Sequence, residues 1–438
     1  MLFVGLYAIV MGLLWTRGSD PTDAASPFEG TEGRGWRLPA VMGFVTSFGL
    51  LLLVGLLCLG KHPGGPQAAL AGSSAYDLEL PSHFAAPEIP ADNPLTAEKV
   101  SLGRHLFYDT RLSINGTLSC ASCHIQALAF TDGKAHAVGA TGQLHPRSAM
   151  GLTNIVYAAR LAWANPLMDK LEHQALLPMF GESPVEMGLA GKEDQILSMI
   201  EHDPTYQPLV SAAWPDGQIS LERVVQAIAS FERTLISSHS PYDRFLEGDE
   251  QALSPSARRG LDLFLSERLE CFHCHGGFNF SDNLTHASLP TGVVAFHNTG
   301  LYNLDNKGAY PPDNEGVFEI TGDPTDMGRF KAPTLRNIAV TAPYMHDGSI
   351  ATLEEVLDHY ASGGRVISAG PNAGDGSQNP LKSEFVAGFI LSDVEKQDVV
   401  SFLKSLTDET FLTEPRFSNP WPAAQTSSPG GVDEAQRP

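Results

Sequence analysis

Apolar residues recur every three or four positions in several parts of the chain, which is the spacing of a helix that buries one face. Two capping boxes, Thr352 with Glu355 and Ser392 with Glu395, predict further helix starts. Patterns that alternate with a period of two are weak, so we expect long loops and few short strands in a mainly α fold. The clearest amphipathic helix follows Ser220, with apolar residues at Leu221, Val224, Val225, Ile228, Phe231 and Leu235.

Two uncharged apolar runs open the chain. The run at 2–15 is too short to span a bilayer, whereas the run at 38–59 is long enough. Arg34 and Arg37 precede the second run, as in the basic flank of a signal peptide or of an uncleaved membrane anchor. We therefore interpret residues 1–60 as signal or membrane segments, with both alternatives open. Gly, Pro and Ala are frequent in 61–92, which we interpret as a linker.

Composition divides the remaining chain. A stretch at 276–334 is rich in Gly, Pro, Asn and Asp, which predicts a long loop. Pro, Ser and Gly dominate after Leu412, which predicts a disordered tail at 413–438. The helical patterns between these segments predict two domains, 93–247 and 248–412, and a chain of 438 residues is long enough for both.

The charge balance narrows the choice of partners. A formal net charge of −22 argues against nucleic acid and favours a partner with a basic face. The chain is 42% hydrophobic, which is ordinary for a folded globular protein.

Two five-residue motifs carry the clearest chemistry. Each reads C-x-x-C-H, the attachment signature of c-type haem. The two thiols bond covalently to the haem, and the histidine binds the iron from one side. Four of the five cysteines lie in these motifs. The motif residues are Cys120, Cys123 and His124 in the first and Cys271, Cys274 and His275 in the second.

A disulfide, a zinc site or a redox cysteine pair could also use C-x-x-C. The two pairs stand too far apart in the sequence for common zinc spacings. A redox pair does not require the histidine that follows both motifs. We therefore predict two covalently bound c-type haems. Because bacteria attach c-type haem outside the cytoplasm, the haem domains should face the periplasm.

The chain around each motif resembles the chain around the other. A G-x-x-L-F pattern on a predicted helix begins at Gly103 before the first motif and at Gly260 before the second. An internal duplication of a haem-binding unit explains the repeat. Chance similarity of two amphipathic helices is the alternative. The prediction is thus two cytochrome c-like haem domains that arose by duplication.

Longer segments resemble a known family. These are LGRHLFYD at 102–109 with RLS at 111–113, APTLRN at 332–337 and TAPYMHDG at 341–348. With the two haem motifs in this order, the chain is similar over roughly 93–410 to the bacterial di-haem cytochrome c peroxidases, the family that includes MauG. The resemblance implies a periplasmic, haem-dependent oxidoreductase that uses hydrogen peroxide.

Two departures from the peroxidase pattern distinguish subfamilies. The peroxidases close the first iron with a histidine in a V-G-H-G pattern, where this chain has Ala140. The resemblance therefore implies a first haem that is open on its distal side, with His145 as a rival ligand or an ordinary loop histidine. The methionine that binds the second iron of the peroxidases is replaced by Tyr360. MauG is similar in using tyrosine there, and the alternative ligands are Met345 and Met327.

The resemblance also implies roles for residues around the haems. Trp163 matches the tryptophan that carries electrons between the haems, although it could be a core residue. Glu186 matches a distal carboxyl that assists peroxide cleavage. Gln174 matches a distal amide, although an exposed helix glutamine is the alternative. A calcium ion between the haems would use the carbonyl groups of Thr341 and Pro343, but Ser148 stands where an asparagine ligand is expected.

Three further segments resemble a narrower group of MauG-like enzymes. In this methanobactin-associated group, members oxidise tryptophan on a small copper-binding partner protein. The leading hypothesis is therefore peroxide-dependent oxidation of a side chain on a periplasmic partner protein. One alternative is a peroxidase that takes electrons from a small cytochrome or cupredoxin, and the other is a non-catalytic di-haem electron carrier. The segments are GATGQLHPR at 139–147, WANP at 163–166 and MFGE at 179–182.

Overall fold

The structure, a computed structural model, describes residues 75–422. These residues are mostly helical and form two small antiparallel sheets, as the weak strand patterns predicted. In β1 (Leu284–His286) and β2 (Leu289–Val293), Leu284 pairs with Val293; in β3 (Val366–Ile367) and β4 (Gly374–Asp375), Val366 pairs with Asp375. The helices are α1 (Ala97–Tyr108), α2 (Cys120–Cys123), α3 (Leu171–Phe180), α4 (Glu193–His202), α5 (Tyr206–Ala213), α6 (Leu221–Glu232), α7 (Pro241–Leu246), α8 (Pro255–Phe264), α9 (Cys271–Cys274), α10 (Phe318–Thr321), α11 (Leu353–Ala361), α12 (Asp393–Lys404) and α13 (Glu409–Thr413).

The helix starts predicted from capping residues are confirmed. Ser220 caps α6 by accepting a hydrogen bond from the backbone N–H of Arg223. The boxes at Thr352 and Ser392 cap α11 and α12, and in each the glutamate three residues on bonds back to the capping residue. Each cap satisfies N–H groups that the first turn of a helix leaves without partners. The segment 276–334 is largely irregular, with β1, β2 and the short α10 within it.

Both G-x-x-L-F patterns lie on helices, and both glycines allow a close helix crossing. A Cβ atom on Gly103 of α1 would lie 1.8 Å from the Ala227 carbonyl oxygen of α6. A Cβ atom on Gly260 of α8 would lie 1.9 Å from the Asp398 carbonyl oxygen of α12. Each crossing pair therefore excludes any larger residue at its glycine. In both halves, the first helix of the pair leads into the short helix of a C-x-x-C-H motif.

The hydrophobic interior contains two large clusters. The first joins α1 with α3, α4, α5 and α6 and is centred on fully buried Leu102, Leu106 and Phe231. The second joins α8 with α11 and α12 around Phe402 and Leu406. These clusters correspond to the two halves of the chain that carry the two motifs.

The end of the described chain packs on the first cluster. Phe417 is fully buried, the Tyr108 hydroxyl donates to the Phe417 carbonyl at 2.7 Å, and the Trp421 indole donates to the His105 carbonyl at 3.0 Å. The predicted start of a disordered tail at 413 is therefore wrong as far as residue 422, because these aromatic side chains bury against α1 despite the Pro- and Ser-rich composition. Phe411 and Leu412 also join the first cluster, so the second domain does not end independently at 412.

The predicted linker also needs correction. Phe84 is buried against Tyr157, and the Tyr157 hydroxyl donates to the Ala85 carbonyl at 2.7 Å. Residues 75–92 therefore cover part of the folded body. The predicted signal or membrane segments at 1–60 lie outside the described residues. Within 75–422, no helix has both the length and the apolar character that crossing a membrane requires.

A buried ion pair connects segments from different parts of the chain. The guanidinium of Arg336 donates to both carboxylate oxygens of Asp243, at 2.9 and 3.0 Å, and both side chains are fully buried. Arg336 also donates to the Phe278 carbonyl, and its guanidinium stacks over the Phe84 ring. This fork geometry satisfies the charges in a place that water does not reach.

Candidate haem sites and the residues around them

The first motif forms one helical turn, and the histidine that follows it lines a cavity. The short helix α2 holds Cys120 and Cys123, and His124 follows at its end. The His124 Nδ1 lies 2.7 Å from the Phe130 carbonyl oxygen. Because a carbonyl only accepts hydrogen bonds, Nδ1 carries the proton and Nε2 keeps its lone pair for a metal.

The second motif repeats this arrangement. The His275 Nδ1 lies 3.1 Å from the Phe280 carbonyl oxygen, and α9 holds Cys271 and Cys274. Phe130 and Phe280, which supply the two carbonyl groups, both have left-handed backbone conformations, with φ of 64° and 49°.

The thiols fit covalent haem attachment and argue against the other interpretations. All four motif cysteines are free thiols, and the two pairs line separate cavities, so they form neither a disulfide nor a joint zinc site. Burial raises the pKa of Cys123 to about 11 and that of Cys271 to about 12. Such protonated thiols are poor redox nucleophiles.

We call the space lined by Cys120, Cys123 and His124 the N-terminal cavity, and it contains about 690 Å³ free of protein atoms. The rest of its lining, which we call the facing wall, includes Gln174 and Pro178 of α3 and Glu186 of the following loop. Desolvation by burial raises the pKa of Glu186. The structure therefore brings the predicted distal carboxyl and amide to the cavity that holds the first motif.

The facing wall depends on a close approach of two loops. A Cβ atom on Gly139 would lie 1.9 Å from the Val185 carbonyl oxygen, and the Ala140 N–H donates to the Glu186 carbonyl at 2.6 Å. Ala140 thus fixes the Glu186 loop through its backbone and has no side chain that could bind iron. His145 lines the same cavity, and burial lowers its pKa, so it remains the alternative ligand.

The C-terminal cavity, defined by Cys271, Cys274, His275 and the residues around them, contains about 1310 Å³ of free space. Tyr360 of α11 lines it and is buried, and burial together with the nearby cysteines raises the pKa of its phenol. A bound metal would have to displace the phenol proton for Tyr360 to serve as an anionic ligand.

Two other side chains could reach a group in the C-terminal cavity. Met345 lines it, whereas Met327 is not among its lining residues. His346 lines it too, and its Nε2 is buried without a hydrogen-bond partner among residues 75–422. The His346 ring stacks on Phe330, and burial lowers the pKa of the imidazole to about 4. Sequence reasoning missed His346 as a cavity residue, although it lies in the TAPYMHDG segment.

A central cavity of about 890 Å³ lies between residues that follow the two motifs. Trp163 lines both this cavity and the C-terminal cavity, and its indole N–H donates to the Ser148 carbonyl at 2.9 Å. Ser148, Thr341 and Pro343 also line the central cavity, so the residues predicted around calcium come together. Asp132 joins them, and its Oδ2 is buried without a partner in the described chain.

A buried lysine that lines both the central and the C-terminal cavity is suited to binding an anionic group. Lys331 lines the central and C-terminal cavities, and its Nζ donates to the carbonyl groups of Arg160 and Leu161 at 3.0 and 3.2 Å. No carboxylate of the described residues pairs with it, and burial lowers its pKa to about 7. A haem carries carboxylates, so this unpaired cation is suited to holding one.

Known proteins resemble the chain over most of its length. A family model for di-haem cytochrome c peroxidase matches residues 97–251. The methylamine utilization protein MauG of Methylophilus methylotrophus is 33% identical over 344 residues, which cover 77% of this chain and 92% of the relative. The chain belongs to the di-haem cytochrome c peroxidase and MauG family. It is therefore a haem-dependent oxidoreductase, and the family implies two c-type haems.

Further relatives span both branches of the di-haem peroxidase and MauG family. The cytochrome c peroxidase Ccp of Escherichia coli is 35% identical over 319 residues, which cover 73% of this chain and 60% of the relative. The crystal structure of a MauG-like protein associated with microbial copper homeostasis superimposes with a TM-score of 0.78 at 48% identity, covering 80% of this chain and all of the other. The family has hydrogen peroxide as its oxidant and a protein substrate or a cytochrome as its electron source.

Proposed function

We propose that this protein uses hydrogen peroxide at its N-terminal haem to oxidise a side chain of a partner protein in the periplasm. The observation that carries the proposal is Tyr360, which lies buried in the C-terminal cavity with His275. An anionic oxygen ligand favours high oxidation states of iron, whereas the thioether of the peroxidases favours the reduced metal. A His/Tyr haem is therefore suited to storing an oxidising equivalent.

The N-terminal cavity supports the peroxide half of the proposal. Ala140 stands where the peroxidases have a histidine that binds the first iron, and its methyl group cannot bind iron, so the N-terminal cavity would leave room for peroxide. When bound, the haems supply the iron centres at which peroxide is reduced and electrons are exchanged. Glu186 would give a proton to the departing peroxide oxygen, and its raised pKa suits a group that must hold a proton. Gln174 would orient the peroxide by hydrogen bonding.

Trp163 would connect the two sites. Its indole borders the central and C-terminal cavities and is held by the hydrogen bond to Ser148. A tryptophan fixed in this way can pass electrons between the haems without changing position. The proposed function requires such a path, because peroxide reacts in one half and the second oxidising equivalent is stored in the other.

A solved structure and the sequence resemblance together support one class of substrate. The MauG-like protein associated with microbial copper homeostasis, at 48% identity, supports a partner that takes part in copper homeostasis. The resemblance of 139–147, 163–166 and 179–182 to the methanobactin-associated group supports a small copper-binding protein that is oxidised at a tryptophan. A net charge of −22 favours a partner with a basic face. The apolar run at 38–59 would export the chain to the periplasm or anchor it to the membrane.

A peroxidase that draws electrons from a small cytochrome or cupredoxin is the second candidate. It is favoured by Met345, which lines the C-terminal cavity and could supply a thioether ligand in place of Tyr360. The two candidates differ at the second iron and in their response to peroxide without a reductant.

The decisive experiment is an EPR and optical spectrum of the ferric holoprotein before and after one equivalent of peroxide, with no reductant. One high-spin and one low-spin haem, converting to a long-lived oxidised state shared by both, are expected. Tyr360→Phe should abolish the long-lived state. Tyr344→Phe is the matched control, because Tyr344 lines the same cavity but donates its hydroxyl to the Ile338 carbonyl.

Two low-spin haems that ignore peroxide until one is reduced would favour the cytochrome-dependent peroxidase. If neither haem reacted with peroxide or bound cyanide in any redox state, the protein would be an electron carrier.

We also propose a calcium ion in the central cavity. Calcium prefers six to eight oxygen ligands, and this cavity offers the carbonyl groups of Thr341 and Pro343, the Ser148 hydroxyl and the unpartnered carboxylate oxygen of Asp132. Removal with a chelator should change the EPR spectrum of both haems, and added calcium should restore it. An unchanged spectrum in a protein shown by metal analysis to have lost calcium would contradict a role between the haems.

A further inference from the structure

A second carboxyl group lines the N-terminal cavity, and neither the motifs nor the family resemblance drew attention to it. Glu232 is the last residue of α6 and lines the cavity together with Glu186 and Gln174. Only 6% of its surface is exposed, and its Oε2 has no hydrogen-bond partner among residues 75–422. A buried carboxylate without partners is strongly disfavoured, so this group requires a proton or a ligand in the cavity.

We propose that Glu232 is the proton reservoir of the N-terminal cavity and supplies, by way of Glu186, a proton that peroxide reduction consumes. The proposal rests on the proposed function in one respect, namely that peroxide is reduced in this cavity. Glu232 acts through Glu186: Glu232 stores the proton, and Glu186 delivers it to the peroxide.

Electrostatics at the site support a protonated Glu232. Desolvation is the largest influence and raises the pKa of Glu232 to about 8; the neighbouring Arg233 opposes it and Glu172 reinforces it. Glu232 and Glu186 both line the cavity that Cys120 lines. At neutral pH, Glu232 therefore retains a proton that an exposed glutamate would have lost.

The groups around Glu232 provide a route for its proton to be replaced. Arg233 is the C-cap residue directly after α6 and forms a paired hydrogen bond with Glu172 of α3, at 2.7 and 3.0 Å. Glu172 also accepts from Asn93, and 13% of its side chain reaches solvent. The Arg233–Glu172 pair is therefore next to Glu232 in sequence and partly open to solvent through Glu172. The other titratable groups that line the cavity are Cys120, Cys123, His124, His145 and Glu186.

The chemistry balances without a further reactant. Reduction of one hydrogen peroxide to two waters breaks the O–O bond and takes up two electrons and two protons. The two electrons come from the side chain of the protein substrate, which is oxidised. Glu232 passes one of the two protons to Glu186, which gives a proton to the departing oxygen, and solvent supplies the second proton to the other oxygen. Glu232 becomes a carboxylate and then regains its proton from solvent.

The first test compares the infrared spectrum of the holoprotein in H2O with its spectrum in D2O. Wild type should show a carboxylic acid C=O band that shifts in D2O. Glu232→Gln should lose this band, and Glu186→Gln should leave it in place. Glu222→Gln is the matched control, because Glu222 lies in the first turn of the same helix and is exposed. A spectrum of Glu232→Gln that retains every band of wild type would overturn the proposal.

The second test is the rate of the optical change after peroxide, measured from pH 6 to pH 9 by stopped flow. Wild type should react more slowly as the pH rises past about 8, where Glu232 loses its proton. Glu232→Gln should be about 10-fold to 100-fold slower at pH 7 and lose this pH dependence, while Glu222→Gln should behave as wild type. A pH profile of Glu232→Gln equal to that of wild type would also overturn the proposal.

A third variant keeps the proposal testable if the Glu232→Gln protein fails to take up haem. If Glu232→Gln does not incorporate haem, Glu232→Asp keeps the acid but shortens its reach, and should shift both the infrared band and the pH profile. An Asp variant equal to wild type in both would count against Glu232. Failure of wild type to react with peroxide would instead contradict the proposed function, while the infrared band would still report whether Glu232 holds a proton.

Discussion

At the scale of single residues, the two motif histidines are aligned by a backbone conformation that phenylalanine rarely adopts. Phe130 and Phe280 have left-handed φ values of 64° and 49°, which cost roughly 1–2 kcal/mol each for a residue with a Cβ atom. In return, their carbonyl groups face back to His124 Nδ1 and His275 Nδ1. The C-x-x-C-H pattern predicts the ligand but not the carbonyl that orients it, because that contact depends on a turn several residues further on.

Tyr360 allows a prediction about the potential of the second haem. Tyr360→Met replaces an anionic oxygen ligand with a neutral thioether, so the reduction potential of the C-terminal haem should rise by on the order of 100 mV. The long-lived oxidised state after peroxide should disappear. Spectroelectrochemical titration of the holoprotein measures the first effect, and optical spectra after one equivalent of peroxide measure the second.

The control is again Tyr344, whose ring lines the same cavity while its hydroxyl bonds to a backbone carbonyl. Tyr344→Phe should leave the potential close to that of wild type. An unchanged potential in Tyr360→Met would mean that Tyr360 is not the ligand, and attention would pass to Met345 and His346, which line the same cavity.

At the scale of helices, the close helix crossings at Gly103 and Gly260 predict that replacing glycine with alanine destabilises the protein, the reverse of the usual effect. In an ordinary helix, alanine stabilises relative to glycine by about 1 kcal/mol. In Gly103→Ala, however, the new Cβ atom would lie 1.8 Å from the Ala227 carbonyl oxygen, so α1 and α6 must move apart. We expect the free energy of unfolding to fall by about 3 kcal/mol, in the upper part of the range for overpacking. Urea unfolding of the holoprotein measures this change. A stabilised variant would contradict the close crossing.

The ion pair that joins α7 to the APTLRN segment predicts a pH-dependent effect. Burial alone would raise the pKa of Asp243, but Arg336, with hydrogen bonds from Ser240 and His83, outweighs it and the pKa is lowered. Because the folded pKa lies below the unfolded value of about 3.9, the pair stabilises the fold above that pH and its contribution is lost as the pH falls further. Arg336→Met should therefore lose about 3–5 kcal/mol at pH 7.

This loss should shrink at lower pH, because Asp243 in the variant keeps Ser240 and His83 as partners but lacks Arg336, and it can take up a proton to lose its buried charge. Urea unfolding at pH 7 and pH 5 measures the difference. Arg223→Met is the control: Arg223 makes the same forked contact with Asp216, but at the surface, and little change is expected at either pH. Equal losses in both variants would show that burial does not matter here.

At the scale of the whole molecule, sequence patterns predicted what depends on neighbours along the chain. The capped helices, the mainly α class and the residues of the two motifs are all local signals. The packing of Phe417 and Trp421 on α1, by contrast, depends on a contact across more than half of the chain, which composition cannot indicate. The same is true of Glu232, which periodicity assigns to α6 but not to a cavity. The internal duplication stays a prediction, supported by the matching glycine crossings.

The organisation of the molecule into two haem sites gives the last prediction. Trp163 borders the central and C-terminal cavities, and its backbone carbonyl accepts from the N–H of Lys331. Trp163→Phe keeps an aromatic ring but removes the indole that would carry electrons and donate to Ser148. Both haems should remain bound, whereas oxidation of the partner protein by peroxide should slow severely. Mass spectrometry of the partner over time measures the rate, and haem absorbance measures the loading.

Trp214→Phe provides the matched control, because Trp214 is buried in the first hydrophobic cluster and lines none of the three cavities. It should oxidise the partner at the wild-type rate. The comparison separates a relay from a packing role, since both substitutions remove an indole ring that packs in or against a hydrophobic cluster. Partner oxidation by Trp163→Phe at the rate of Trp214→Phe would require electrons to pass between the two haem sites by another route.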